Sequence, residues 1–499
     1  MSLVQNIPFF TIILSMFGGI ISAVLSGKWA KRLCVSIISA VFVMSSIILV
    51  YMFKFNQSYT FMMGHYPAPF GNEIRVGVLE AFTATFFSGI MLMCVLGGMR
   101  HARKDIEAKK LNLFYLLVCL LLSSILALVY TNDLFTAYVF VEINTLAACG
   151  LVIIRQKGHA IVAGIRYMIM NLLGSGLFLM SLCLLYDITG HLLMSNMKES
   201  VQRLMNNSEY ALPLQIIIGL MCVSLAMKSA LFPFHSWVAD TYGYSTCTTA
   251  SILSSLVSKA YIFLLIKIMY RVIGIDFIRE SNVLNVLFVF GIIGMIVGSI
   301  GAIKEKDIRR MIAYSSVAQI GYIYMGLGIG SNLGVVVAIF HIFVHAATKS
   351  LLFISSAGLT QVSNDSKKFR DLTGAGYRNI PAGIAFAVGC LSMVGIPAFA
   401  GFISKITFAT AAVSTSINLK VWVILLALAI STILNAVYFL KTLLRIFTRD
   451  DENEMNRGTA DKSFRYVLSL VVLIALNIFI GVQSDPIFDA INKGLSMFG

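Results

Sequence analysis

An all-α polytopic membrane protein is the fold class the sequence predicts, and three observations predict it. The 499 residues are 58% hydrophobic and only 12% charged, with a mean hydropathy of +0.86, whereas soluble domains carry about 25% charged residues. Apolar runs long enough to cross about 30 Å of hydrocarbon recur along the whole chain. Two of these runs break at Gly and Pro with a lysine beside the break.

In order, the predicted spans are 7-26, 33-53, 78-98, 112-130, 132-154, 159-186, 211-229, 246-270, 284-302, 311-328, 333-360, 381-410, 419-440 and 466-484, about 14 transmembrane helices. The first is a retained span, because no basic residue precedes it and no small-residue cleavage site follows. With the N-terminus outside, the inward loops 27-32, 99-111, 155-158, 237-245, 303-310, 361-380 and 441-465 hold 24 Lys and Arg. The outward segments hold eight: Lys54, Arg75, Lys198, Arg203, Arg271, Arg279, Lys420 and Lys493. Inward loops are the ones enriched in these residues, so both termini are expected outside. The net charge of +15 is then mostly an inside anchor, and no nucleic-acid partner is expected.

Six basic residues remain inside or at the edges of spans: Arg166, Lys228, Lys259, Lys267, Lys349 and Lys405. A charge at mid-bilayer costs at least about 3 kcal/mol, which makes such residues functional candidates. Arg166 and Lys267 lie near helix ends, where the head group can snorkel to the interface. Glu142 is the one clearly deep acid, and Glu80 lies nearer the outer end of its helix.

The eight cysteines form no C-x-x-C and fall mostly within spans, as small packing residues do. Gly326, Gly328 and Gly330 come close to a nucleotide fingerprint but leave a membrane helix and follow no strand, so a turn is expected there. The longest polar loops are too short to fold a cofactor domain. No cofactor is expected on this chain, and any redox or ATP chemistry would belong to partner chains.

The breaks organise the middle of the chain. Pro233, in Lys228-Ser-Ala-Leu-Phe-Pro-Phe-His235, falls late in the first unit (112-270). Gly395, Pro397 and Gly401, followed by Lys405, fall late in the second (284-440). Residues 1-111 precede the two units as three helices, and 441-499 follow as an inward loop and a last helix. Each unit has five helices, an odd number, so the two would be inverted repeats, helices 4-8 and 9-13. Interrupted helices at matching places in two halves point to an ion path, since freed backbone groups are tolerated only around a cavity.

Burial disfavours an ammonium whereas a nearby carboxylate favours it, so a lysine held between the two can change protonation state. Glu142 is the candidate carboxylate for Lys228, with a structural ion pair as the alternative. Lys259 follows Thr248, Ser251, Ser255 and Ser258 on one side of the eighth helix, a face that either holds water or merely permits close packing. His341, His345 and Lys349 recur at i, i+4 and i+8 on one face. No H-E-x-x-H and no third ligand accompany the histidines, so no metal is expected; a proton relay suits imidazoles, which both donate and accept.

YPAPFG (66-71), NDLFTAYVFVEI (132-143), MIMNLLGSGLFLMSLCLLYDITG (168-190), KSALFPFHSWV (228-238), DIRRMIAYSSVAQIGYIYMGLG (307-328), HIFVHAATKSLLF (341-353) and GIPAFAGFISK (395-405) together resemble the proton-translocating antiporter family. That family is shared by Mrp-type multisubunit sodium/proton antiporters, membrane-bound hydrogenases and the antiporter-like subunits of respiratory complex I. The likeness is greatest to the D-type Mrp subunit and its hydrogenase counterpart. It implies fourteen helices with inverted repeats, and a relay of Glu142, Lys228, Lys259, His341, His345, Lys349 and Lys405. It also implies other membrane subunits as partners, protons and sodium as the ions moved, and a prokaryotic cell membrane. An antiporter-like pumping subunit of a redox complex is the competing assembly, and a third alternative is a purely structural subunit.

Two departures concern geometry rather than charge. The loop Val238–Cys247 lacks the prolines usual in the family, and Pro397-Ala398 stands where a double proline is frequent. About fifteen residues follow the last predicted span, so the long lateral helix of larger members is not expected.

Overall fold

A computed structural model describes residues 3–498 apart from 64–65, 67–70, 206, 416–417, 450–457 and 462. Residues 67–70 of the YPAPFG motif and 450–457 of the last inward loop therefore lie outside the described residues. Among the described residues, twelve helices are long and apolar enough to cross a membrane. Each of these coincides with a span expected from the sequence. The two remaining expected spans are also helical: Ile308–Gly328 is one continuous helix, and Ile380–Val394 with Ala400–Val413 forms a broken pair.

Two helices sit at the centre. The apolar windows of Cys247–Ile273 and Asn332–Gln361 are 100% buried, whereas those of peripheral helices such as Gly27–Phe55 and Asn418–Ile446 leave most of their surface outward. A helix that is apolar or small all round has no polar face to offer solvent, so it goes to the middle of a bundle. These two central helices carry Lys259 and the His341/His345/Lys349 face.

Small residues let neighbouring helices approach closely. Between Val283–Lys304 and Ile308–Gly328, a Cβ on Gly291 or Gly298 would fall 2.5 Å from backbone nitrogens of the facing helix. Gly328 belongs to this packing rather than to a turn, since a Cβ there would strike Phe288 at 2.5 Å, and Gly326 is likewise helical, packed against Phe408, where a Cβ would fall 2.6 Å away. Only Gly330, with φ +83°, turns the chain as expected.

Three elements were not apparent in the sequence. Strands Tyr59–Met62 and Glu73–Val76 form an antiparallel hairpin, and two short amphipathic helices, Met194–Leu204 and Asp485–Ser496, lie outside the spans. They meet at one end of the bundle: Arg75 donates to the Met497 carbonyl at 2.6 Å, and Asp485–Ser496 packs so closely on Leu79 that Gly494 has no room for a Cβ.

The same end holds a buried ion pair that corrects the sequence reading. Arg271, expected in an outward segment, lies in a π turn that extends the central helix to Ile273. It is 2% exposed, pairs with the fully buried Glu80, and lies 4.2 Å from the centre of the Phe498 ring. Lys267 does not snorkel either. It is fully buried and donates to the carbonyls of Leu128, Val129 and Thr131 at 3.2, 2.9 and 2.5 Å, satisfying groups that the end of helix Leu111–Tyr130 leaves unpaired. Removing one partner of a buried pair strands the other charge. Glu80→Gln is therefore expected to destabilise the chain by about 3–5 kcal/mol, read as a lowered unfolding temperature in detergent. Adding Arg271→Met should recover most of the loss.

Candidate functional site

The first break forms where helix Ala211–Ser229 ends in Ala230, whose φ of +68° is left-handed. A turn through Pro233 follows, and the chain resumes as the short helix Val238–Tyr244. Lys228 is in the last turn before this break and 1% exposed. No ion pair joins it to Glu142, contrary to the simplest sequence expectation. Lys228 Nζ donates instead to Thr145 Oγ1 at 2.9 Å, one helical turn along from Glu142. Thr145 in turn lies 3.4 Å from the Tyr261 hydroxyl, which donates to Asn144 at 2.9 Å. Glu142 Oε1 is buried and has no hydrogen-bond partner within the protein.

Tyr261 carries the arrangement onto the central helix, where Lys259 is fully buried. The expected serine face is rearranged by a π turn at Leu253–Val257, which shifts the hydrogen-bond register by one residue. Lys259 Nζ donates to the Ser254 carbonyl and, at 3.2 Å, to Ser258 Oγ. Ser251 faces Cys94 Sγ at 3.0 Å, while the hydroxyls of Thr248 and Ser255 have no partner within the protein. Ser254, not singled out in the sequence, lies with its hydroxyl 2.9 Å from that of Ser316 on helix Ile308–Gly328.

The second central helix supplies the next groups. Lys349 Nζ donates to Ser315 Oγ and, at 3.2 Å, to the Ile312 carbonyl. His345 is fully buried with both ring nitrogens free of protein partners. The His341 ring lies nearly parallel to it, 6.1 Å centre to centre, and its Nδ1 is 2.6 Å from Ser404 Oγ.

Ser404 precedes Lys405 on the far side of the second break. There, Gly395 caps helix Ile380–Val394 with φ +90°, and Lys405 Nζ donates to the Val394 carbonyl at 2.7 Å. Lys405 lies across Gly395, where a Cβ would fall 2.9 Å from its Cδ. Gly401 is needed for the return: a Cβ there would overlap the Ser392 carbonyl. Ala398, where the family often has a second proline, has φ +75°, a value the proline ring forbids. This departure therefore marks a different backbone path through the break. Tyr322, also missed in the sequence, stacks on His341 at 5.5 Å and lies 6.0 Å from Lys405 Nζ.

The seven residues thus lie on five helices, Leu134–Ile153, Ala211–Ser229, Cys247–Ile273, Asn332–Gln361 and Ala400–Val413. No ion pair within 4 Å reaches any of the four lysines among the described residues, and hydroxyls and carbonyls take the place of counter-ions. Arg166 differs: 61% exposed, it pairs with Asp240 near the bundle surface, as snorkelling predicts.

Outside the spans, three cations hold the proline-free turn after Val238–Tyr244. Arg155 donates to the Tyr244 carbonyl at 2.9 Å, Arg309 to that of Ser245 at 3.5 Å and Lys367 to that of Gly243 at 2.6 Å. Burial, with Arg309 nearby, pushes the Lys367 ammonium down to about 7.

Comparison with known proteins agrees with this architecture. Residues 131–434 match the family described as NADH:quinone oxidoreductase/Mrp antiporter, TM. The chain is 31% identical over 394 residues to NADH-quinone oxidoreductase subunit N of Desulforudis audaxviator, covering 78% of this chain and 75% of that one. It is 28% identical over 448 residues to the putative antiporter subunit mnhD2 of Staphylococcus saprophyticus, covering 89% and 86%. Among solved structures, a chain of the Mrp complex from Dietzia sp. superposes with a TM-score of 0.87 at 19% identity, covering 99% of this chain and 97% of that one. This chain belongs to the NADH:quinone oxidoreductase/Mrp antiporter family of membrane proteins.

Proposed function

We propose that this chain is the proton-translocating subunit of a multisubunit cation/proton antiporter, moving protons along Glu142, Lys228, Lys259, Lys349, His345, His341 and Lys405. The observation that carries this reading is the run of buried, carboxylate-free lysines and imidazoles on the two wholly enclosed helices. A cation held by a counter-ion is fixed in charge. A lysine held only by hydroxyls and carbonyls can lose its proton to a neighbour and regain it, and a hydroxyl can accept from one side while donating to the other. The two broken helices end beside Lys228 and Lys405, as expected for entry and exit on opposite faces of inverted repeats 112-270 and 284-440. The D-type Mrp antiporter, with sodium as the exchanged cation and other membrane subunits as partners, is the leading assembly. Its place is a prokaryotic cell membrane, with both termini outside.

A second reading, the pumping arm of a redox complex, is favoured by the higher identity to the quinone oxidoreductase relative, 31% against 28% for the antiporter relative. Subunits that co-purify separate the two: iron–sulfur or nickel proteins in one case, small membrane subunits in the other.

Glu142→Gln tests the relay. It keeps the shape of the side chain and removes the charge next to Thr145 and Lys228, so the protein should assemble normally. Proton transport should fall about a hundredfold or more, the range set by one positioned acid–base group. Full transport with unchanged pH dependence in reconstituted vesicles would remove Glu142 from the path.

A further inference from the structure

A basic groove at the opposite end of the bundle from the Glu80–Arg271 pair is not accounted for by proton transport. It has a volume of about 650 Å³ and is lined by Lys28, Lys31, Arg100, Arg103 and Arg465, with no acidic residue in its wall. Acids on the adjoining segments are already engaged: Asp461 holds Arg100 at 2.7 Å, Glu107 is held by Lys110 at 2.8 Å and Asp105 by Arg155 at 3.2 Å. Lys28, Lys31, Arg103 and Arg465 have no acidic partner among the described residues. A scattered inside anchor would satisfy the orientation rule equally well without gathering its charges around a cavity.

Two further features describe what would fill the groove. Tyr115, 2% exposed as a residue, lines the groove beside these cations, and a phenol can both donate and accept a hydrogen bond. The rim carries the residue types that mark a membrane interface. Trp29 is 59% exposed with Arg32 stacked 4.8 Å over its ring, and the adjoining helix end presents Ile21 and Val24, 52% and 88% exposed. Tryptophan and arginine mark the head-group level, and the apolar residues next to them face the acyl chains.

We propose that this groove is a binding site for the head group of an anionic phospholipid, its phosphate held by Lys31, Arg103 and Arg465 and its ester oxygens by the Tyr115 hydroxyl. Basic pockets between membrane helices recognise such head groups through charge and position. Here the cavity places a tyrosine among the cations, which a diffuse surface potential does not require. The sequence contains one rival occupant, the acidic run Asp450-Asp-Glu-Asn-Glu454 that precedes the last helix.

The test is native mass spectrometry of the full chain in detergent, titrated with phosphatidylglycerol and phosphatidylcholine of the same acyl chains. Wild type should retain phosphatidylglycerol preferentially. Lys31→Gln with Arg103→Gln should weaken that retention about thirtyfold, and Tyr115→Phe, which keeps the packing, about fivefold. Lys157→Gln with Arg449→Gln, a charge-matched pair of which neither residue lines the groove, should leave it unchanged. Equal retention of the two lipids, or an effect of the control pair as large as that of the groove pair, would overturn the proposal. So would displacement by millimolar inorganic phosphate, which would make the groove a free-anion site. A preference present only after Asp450, Asp451, Glu452 and Glu454 are neutralised would assign the groove to the acidic run instead.

Discussion

Lys259→Ala is expected to stop proton passage between the two halves of the protein, a loss of at least about a hundredfold, while the chain still inserts and assembles. On the proposed relay, Lys259 is the group through which the two halves would communicate. Tyr261, two residues on, reaches the Thr145 hydroxyl that accepts from Lys228. Ser254, whose carbonyl accepts from Lys259, reaches Ser316 on the helix that also serves Lys349. No other titratable side chain on the central helix Cys247–Ile273 stands between these two sets. Insertion should not suffer, because removing a buried ammonium relieves a cost of about 3 kcal/mol rather than adding one. Proton uptake by vesicles containing the assembled complex measures the effect. Normal uptake by the variant would mean that Lys259 only braces the π turn and that the halves work independently.

The long elements and their charges were legible in the sequence, whereas the partners of those charges were not. Hydrophobic length marks a span wherever it occurs, so even Ile308–Gly328, with Arg309 and Arg310 in its first turn, coincides with its expected position. A charge inside such a run is conspicuous for the same reason. The hairpin escaped because strands of four residues, one of them reading Glu-Ile-Arg-Val, have too little periodicity to separate from a loop. The π turns escaped because nothing local in Leu253–Val257 distinguishes them from a regular helix. That hid Ser254 and moved Arg271 from an expected loop into the core. Tyr261, Ser315 and Tyr322 become relay neighbours only through contacts with residues far away in the chain. Ser404 could have been suspected beside Lys405, and Thr145 one turn beyond Glu142.

Lys405→Arg is expected to abolish net translocation even though the chain folds. Lys405 is intermediate in exposure, at the resumption of the second broken helix, and Nζ is held by the Val394 carbonyl at 2.7 Å. A guanidinium can reach the same carbonyl, so the helix end remains satisfied. What it cannot do is give up its proton, because arginine stays charged in proteins. The last station would then be permanently occupied and the groups behind it, His341 through Ser404 and Tyr322, would have nowhere to discharge. Lys405→Glu reverses the sign of the charge but can still exchange a proton, so it should retain activity between wild type and the arginine variant. Its protonated form can also donate to the Val394 carbonyl. Proton uptake by the reconstituted complex, with assembly checked in parallel, decides the matter. If wild type and Lys405→Arg pump equally, the positive charge at 405 is a fixed electrostatic support for the broken helix, and protons leave by another route.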